Sequence, residues 1–346
     1  MPLPAAEIEV VAPNLKRRLS GVTATVVRLI PVQARRIGIV ATGPGLPPDL
    51  PHIPLLRAAT LPRDRWRVWH ARRNTEMLLG LVLTRLLRRR YRLLFTSASQ
   101  RVHSRYTRAL IARMDTVVAT SAAGAEYLAR PAQVIHHGID LDRFAPVADR
   151  AALRARLGLP PHAVLTGCFG RIRAQKGTGD FVEAMLRRLP DHPAEIAIVM
   201  GRATQAHAAY LDALRARVVD ADLADRIRFL PEVPVTAMPD WYAALDLYVA
   251  PQRWEGFGLT PLEAMAAGTP VVATRVGAFP ELVGPACGTL VPPQDPAALD
   301  AALAHWLDDP ARLAAARAAA RAHVAAHHGI EAEAEALIAL YRRMLA

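Results

Sequence analysis

The chain lacks much of what several protein classes need. It holds only two cysteines, Cys168 and Cys287, in 346 residues. That is too few for a disulfide framework or a thiolate metal site, and it fits a reducing cytosol. Aromatic residues make up 5% of the chain, and no stacking motif interleaves with the arginines, which argues against a single-stranded nucleic-acid platform. Apolar runs are short: the longest, Met77 to Leu83, falls well below the ~20 residues that cross a bilayer. The opening Met1-Pro-Leu-Pro-Ala-Ala-Glu7 lacks the basic start and apolar core of an export signal. Internal repeats and low-complexity segments are missing too, apart from Ala-rich helices near the C-terminus.

What the chain does have is positive charge, unevenly placed. The formal net charge is +12. Residues 1–150 carry 24 Lys+Arg against 10 Asp+Glu, and residues 151–346 carry 19 against 21. A basic half beside an almost neutral one draws polyanions, whether nucleic acid, anionic lipid head groups or an acidic saccharide. Hydrophobic residues reach 52%, ample for burial, and the length exceeds what one core of about 250–300 residues holds, so two domains are expected.

Short apolar stretches alternate with helical patterns along the whole chain, the mark of parallel α/β sheets. In the first half, strands are expected at Ile8–Pro13, Arg36–Thr42, Trp66–His70, Leu93–Ser97, Asp115–Ser121 and Gln133–Gly138. Gly21 stands at the first strand–helix loop, where a glycine lets backbone amides approach a phosphate. The adjoining Lys16-Arg17-Arg18 reads equally as an anion contact or a solvated loop. Gly43-Pro-Gly45 is no dinucleotide fingerprint, because Leu46-Pro47-Pro48 prevents the helix start that such a motif requires. His70, Arg72, Arg73 and Asn74 cluster at a strand's carboxyl end, the edge where open sheets bind ligands. A helix is expected from Glu76 to Arg90. Its Arg88-Arg89-Arg90 end is either ordinary compensation of the helix dipole or an interfacial contact with anionic lipid.

In the second half, Ala163–Gly170 reads as a strand leading into Arg171-Ile-Arg-Ala-Gln-Lys176-Gly177 and then a helix. That arrangement clamps a diphosphate, with Arg offering a planar fork and Lys a point charge. Glu195–Met200 ends in Gly201-Arg202. Between two further short strands, Leu245–Pro251 and Pro270–Thr274, lies Trp254-Glu-Gly-Phe-Gly-Leu-Thr-Pro-Leu-Glu263. Two carboxylates there flank a Gly-rich turn and a helix start, with Pro261 suited to the first helical turn.

This last stretch resembles the donor-binding signature of retaining glycosyltransferases of family 4, a Glu, seven residues and a second Glu within E-G-F-G-x-x-x-x-E-A-M-A-x-G-x-P-V-V-A. Every fixed position is filled between Glu255 and Ala273. The Arg171…Lys176-Gly177 element resembles the family's G-R-x-x-x-x-K-G, and Gly138-Ile-Asp-Leu-Asp-Arg-Phe144 its G-x-D-x-x-x-F inter-domain linker. Asp140 and Asp142 are therefore read as turn and capping residues rather than metal ligands. The resemblance implies a GT-B fold, two doubly wound Rossmann-like domains facing across a cleft. Residues 1–145 would bind the acceptor, residues 146–325 the nucleotide-sugar donor, and helix 326–346 would cross back to the first domain.

It further implies a metal-independent transfer without a cofactor. Arg171 and Lys176, with the amides near Gly21, Gly201 and Gly258, would hold the diphosphate. Pro231 and Val233 would meet the base through main chain. Glu255, with Gly256, Phe257 and Leu259, would hold the donor sugar, and Glu263 the ribose. The family often places a catalytic His after its fourth strand. Here Thr96 or Ser97 stands there, so no His is carried over at that position; Glu255 and His70 are the catalytic candidates, and His103 follows the strand by a few residues.

The stretches Asn14–Thr23 and Trp69–Asn74 are similar to lipopolysaccharide-core mannosyltransferases, implying GDP-mannose and an anionic lipid-linked saccharide. They also imply a cytoplasmic enzyme, peripheral on the inner face of the plasma membrane. The alternatives are a UDP-glucose-type glucosyltransferase, a sugar-nucleotide epimerase, or a basic nucleic-acid- or membrane-binding protein; of the polyanions, nucleic acid is not the expected partner.

Overall fold

The computed structural model describes residues 3–16 and 21–346, the side chains of residues 21 and 22 excepted. The chain divides into two units, Met1–Asp140 with Gly329–Ala346, and Leu141–His328. Each carries one six-stranded sheet.

In the first unit the strands are β1 (Val10–Pro13), β2 (Ile39–Thr42), β3 (Arg67–Ala71), β4 (Tyr91–Ser97), β5 (Thr116–Ala119) and β6 (Gln133–Val134). They run in the order β2-β1-β3-β4-β5-β6, every pairing parallel. Helices α1 (Gly21–Gln33), α2 (Leu55–Thr60), α3 (Asn74–Leu81), α4 (Arg105–Ile111) and α5 (Ala122–Ala125) connect them. Successive strand residues face opposite ways, so each strand feeds two cores. Val10, Ala12 and Val68 join one, while Val11 and Trp69 join the other. Both faces are covered, which is why these strands read as nearly unbroken apolar runs rather than alternating ones.

The second unit holds β7 (Val164–Phe169), β8 (Glu195–Met200), β9 (Ile227–Leu230), β10 (Leu247–Ala250), β11 (Val271–Thr274) and β12 (Gly288–Val291). Its helices are α6 (Arg150–Arg156), α7 (Thr178–Arg188), α8 (Ala208–Asp220), α9 (Met238–Ala244), α10 (Thr260–Ala266), α11 (Phe279–Leu282), α12 (Pro296–Leu307) and α13 (Pro310–His327). The strand order is β12-β11-β10-β7-β8-β9, again all parallel. Winding starts at β7, runs outward to β9, then returns to β10 on the other side of β7. That reversal opens a crevice at the carboxyl ends of β7 and β10. Among the described residues, no helix is long and apolar enough to cross a membrane.

The chain ends in α14 (Ile330–Leu345), which belongs to the first unit. Its apolar face joins Val26, Leu29 and Ile30 of α1 in one core. Two polar anchors fix it. Glu333 accepts from the Gly138 amide at 2.8 Å and pairs with His137 Nδ1 at 2.8 Å. Tyr341 bonds His70 Nδ1 at 2.7 Å.

Several expected elements differ in detail. The helix expected over Glu76–Arg90 ends as α3 at Leu81 and continues as one π-helical turn, Val82–Leu86. Thr84 donates back to the Gly80 carbonyl at 2.9 Å, and Arg88 adopts a left-handed φ of 50° that turns the chain into β4. Arg88–Arg90 thus lie beyond the helix rather than compensating its terminus. The strand expected over Gln133–Gly138 pairs only at Gln133 and Val134, since the following residues turn away to reach α14.

His70 lies at the carboxyl end of β3, as expected, but its ring is enclosed. It is fully buried, with Nε2 2.7 Å from Thr96 Oγ1. Arg72 Nη2 also approaches Nδ1, at 3.4 Å, so Nδ1 accepts and Nε2 carries the proton. Burial, reinforced by the Arg72 charge, holds its pKa well below the ordinary 6.5. A histidine whose folded-state pKa is depressed resists protonation in the folded chain, so stability falls as pH drops below about 6.5, by up to ~1.4 kcal/mol per pH unit. Burial alone would raise the pKa of Glu333, but the charge and hydrogen bond of His137 and the Gly138 amide outweigh it and lower it. Its contribution is lost further down, below the ordinary carboxylate range. Urea unfolding between pH 5 and 8 is expected to show the first slope in the native chain and to lose it in His70→Gln.

Candidate active site

In the second unit the loops at the carboxyl edge converge from β7, β8, β9 and β10. After β7 the chain passes Gly170-Arg171 and a short 3-10 turn, Ala174–Lys176, before Gly177 opens α7. Gly177 has φ 70°, and a Cβ there would stand 1.8 Å from the Pro251 carbonyl. Only glycine lets this loop lie against the end of β10. Lys176 is thereby brought to Glu255, and the two form an ion pair. Both side chains are about one-fifth exposed, 20% and 18%, so the pair is only moderately screened. Arg253 and Asp180 join the same two loops a second time, at 2.7 and 3.0 Å.

Glu255 accepts from its neighbouring Gly256 amide at 3.0 Å. Gly258 then adopts φ 87°, and a Cβ there would lie 2.2 Å from the Phe279 ring and 2.9 Å from Glu255 Cγ. The loop is therefore folded over a buried ring on one side and the carboxylate on the other. α10 follows at Thr260, with Pro261 in its first turn and Glu263 one turn in.

Beside these groups lies a cavity of about 180 Å³. Phe169, Gly170 and Arg171 from the end of β7 line it, as do Met200, Gly201 and Arg202 from the end of β8. Glu232, Val233, Val235 and Met238 close one side, and Tyr242, Thr260 and Glu263 the other. Arg171 is exposed. Tyr242 is fully buried and its hydroxyl donates to Glu263 Oε2 at 3.1 Å. Burial, followed by the Glu263 charge, raises the Tyr242 pKa well above 10, so the phenol stays protonated and able to donate. The cavity combines apolar side chains with the charged Arg171, Arg202, Glu232 and Glu263, the usual make-up of a small-molecule site.

The first unit has a polar centre at its own reversal, where β1 lies between β2 and β3. Glu76 is fully buried there and pairs with Arg73 at 2.7 Å. Arg73 also donates to Asn14 Oδ1 and Thr23 Oγ1, both at 2.9 Å, and the Arg72 amide donates to Glu76 Oε2 at 2.8 Å. One guanidinium thus ties together the segments after β1 and after β3. A buried pair of this kind is tolerable because each charge has further hydrogen bonds.

Of the expected site residues, the structure brings Arg171, Gly201, Val233 and Glu263 to one cavity. Lys176, Glu255 and Gly256 stand together on the adjoining loops, with Phe257, Gly258 and Leu259 running on to α10. Pro231 lies next to the cavity-lining Glu232 rather than on the cavity itself. Gly21 begins α1 in the other unit, and Arg17, Arg18 and Ser20 lie outside the described residues. His70 stands apart, enclosed by Thr96 and Tyr341. Sequence reading missed Tyr242, which carries no motif of its own. A signal that was available is lysine scarcity: Lys16 and Lys176 are the only lysines among 43 basic residues.

Gly258→Ala tests the loop geometry. It is expected to lower stability by about 1–3 kcal/mol through strain at positive φ and the clash with Phe279, measured by urea unfolding. An unchanged midpoint would show that the loop does not depend on this turn.

Residues 163–309 match the family described as glycosyl transferases group 1. The chain is 51% identical over 348 residues to the lipopolysaccharide core biosynthesis mannosyltransferase LpsB of Rhizobium meliloti, covering 98% of each. It is 50% identical to LpcC, a mannosyltransferase of the same description from Rhizobium leguminosarum, covering 98% of this chain and 97% of that one. In fold it is similar to Anabaena HepE, crystallised in complex with UDP, with a TM-score of 0.82 at 18% identity over 97% of this chain and all of that one. Two parallel, doubly wound sheets are the GT-B architecture. The chain belongs to the group 1 glycosyltransferases and is an enzyme of that class.

Proposed function

We propose that the protein transfers mannose from GDP-mannose to an anionic lipid-linked saccharide such as the lipopolysaccharide inner core, as a retaining, metal-independent enzyme of family 4. The observation that carries this reading is the full-length identity to two lipopolysaccharide-core mannosyltransferases. The site's chemistry supports it. Negative charge grows on the leaving diphosphate as the glycosidic bond breaks, while the sugar becomes oxocarbenium-like. Lys176 and Arg171 supply fixed positive charge where that happens. Glu255 accepts from donor-sugar hydroxyls and Glu263 from the ribose.

The acceptor oxygen bonds to the anomeric carbon on the face from which the diphosphate leaves, and its proton passes to a leaving phosphate oxygen. No dedicated protein base is then needed. In this reading His70 anchors α14 and does not meet the donor.

Thermal unfolding with GDP, UDP and ADP, each with and without EDTA, tests the donor. A ligand that binds only the folded state stabilises it by about 2.7 kcal/mol at a hundredfold excess over Kd. A GDP-selective, EDTA-insensitive rise that disappears in Lys176→Ala is expected. A UDP-selective rise would move the donor to a glucose type, EDTA sensitivity would contradict metal independence, and no rise would remove the donor site.

The acceptor's lipid places the enzyme at the cytoplasmic face of the membrane. The first unit offers a matching surface where β3 and β4 begin. Leu86 is 74% exposed there, and Arg63 donates to the neighbouring Leu87 carbonyl at 2.8 Å. Arg65, Arg85, Arg88 and Arg90 are exposed around it, and Arg92 lies 4.4 Å from the half-exposed Trp66 ring. Leu and Trp enter the head-group layer, and each Arg adds about 1 kcal/mol against anionic lipid. The seven residues of β4 set this surface roughly 20 Å from the sheet's carboxyl edge, a span left to the acceptor's saccharide. Co-sedimentation with phosphatidylcholine vesicles is expected only when phosphatidylglycerol is included. It should weaken at least tenfold when Arg85, Arg88 and Arg90 are all replaced by Ala, and equal binding by that variant would overturn the assignment.

A further inference from the structure

We propose that Tyr242 is the positioning residue that sets how tightly the site holds the donor's ribose. The inference rests on the reading that Glu263 accepts from the ribose hydroxyls. Glu263 lies in the first turn of α10 and lines the cavity. The Tyr242 hydroxyl donates to Glu263 Oε2 at 3.1 Å. A carboxylate has about four acceptor sites, so a bond to one oxygen restrains the group without using its whole acceptor capacity.

The phenol itself is held rigidly. Thr269 Oγ1 donates to the Tyr242 carbonyl at 2.8 Å. The ring lies 5.3 Å from those of both Phe169 and Tyr248, and 6.2 Å from that of Phe144. Phe169 and Tyr248 are in turn linked by the Tyr248 hydroxyl, which donates to the Phe169 carbonyl at 3.2 Å. The rigidity of three buried rings is thus passed through one hydroxyl to the Glu263 carboxylate. Preorganisation of this kind raises affinity by removing the ordering cost that binding would have to meet.

The bond predicts a specific signature. Tyr242→Phe keeps the ring and its packing but removes the donor to Glu263. Affinity for GDP should fall roughly tenfold, the size of one hydrogen bond to a charged group. Affinity for 2′,3′-dideoxy-GDP, which has no ribose hydroxyls to present, should change less than about twofold by the same arithmetic. In a Glu263→Ala background the Tyr242→Phe effect on GDP should vanish, because the two residues act as one unit.

Calorimetric titration of both ligands into the native chain, the two single variants and the double variant reads all three, with the ligand-free unfolding midpoint as the packing control. UDP and its dideoxy form replace the guanine pair if uridine is the preferred base. Equal losses for both ligands would mean that Tyr242 merely supports the cavity, and no loss for either would mean that it has no part in binding; each overturns the proposal. If the native chain binds the ribo and dideoxy forms equally, the ribose assignment of Glu263 falls first, and this inference with it.

Discussion

Lys176 and Glu255 hold each other at the one place in the second sheet where the winding reverses. The pair depends on nearly everything around it. All strands run the same way, so every strand–helix loop emerges at one edge. β7 and β10 are neighbours, so the loops after them meet. Gly177 lies against the end of β10 only because it has no Cβ, and Gly258 folds the next loop back over Phe279. Without these two turns the cation and the carboxylate would stand on separate loops. Together they form one charge-compensated unit.

Much of this was legible in the sequence because loops of this kind are built from residues whose backbone demands are specific. A positive φ under close backbone contact favours glycine, and charged residues just past the ends of apolar runs stand out, so the loops carrying Arg171, Lys176, Gly177, Glu255, Gly258 and Glu263 are readable from the chain. Continuous apolar runs likewise marked the strands to within a few residues. What stayed hidden depends on contacts between residues far apart in sequence. Tyr242 looks like any buried tyrosine until its hydroxyl is seen against Glu263. His70 looked like a ligand-edge histidine because its place at the end of β3 is right. Only the return of α14 to the first unit, bringing Tyr341, shows that its ring is enclosed. The end of the helix expected over Glu76–Arg90 was misplaced for a related reason, since the left-handed turn at Arg88 follows from where β4 must begin.

The positive charge of the chain separates, on inspection, into parts with different physical roles. The unit made of residues 1–140 and 329–346 carries 24 Lys+Arg against 11 Asp+Glu, and the other 19 against 20. Some of that excess is structural. Arg67 is 2% exposed and donates to the carbonyls of Ile8, Pro62 and Ala5, holding the start of β3 to the chain's first residues. Arg73 is spent on Glu76, Asn14 and Thr23. Neither is free to meet a ligand, and removing either would leave buried acceptors without a donor.

The exposed remainder acts at longer range. A cluster of exposed cations raises the local concentration of an anionic partner and sets the salt dependence of its capture. The near-neutral second unit has no such field to lend to a nucleotide diphosphate. In the proposed reaction the diphosphate would be held by groups within contact distance, Lys176 and Arg171 individually, whereas the arginines of the first unit act collectively. Capture of the acceptor should therefore weaken smoothly as single arginines are removed. Retention of the donor should instead fail abruptly with the loss of Lys176.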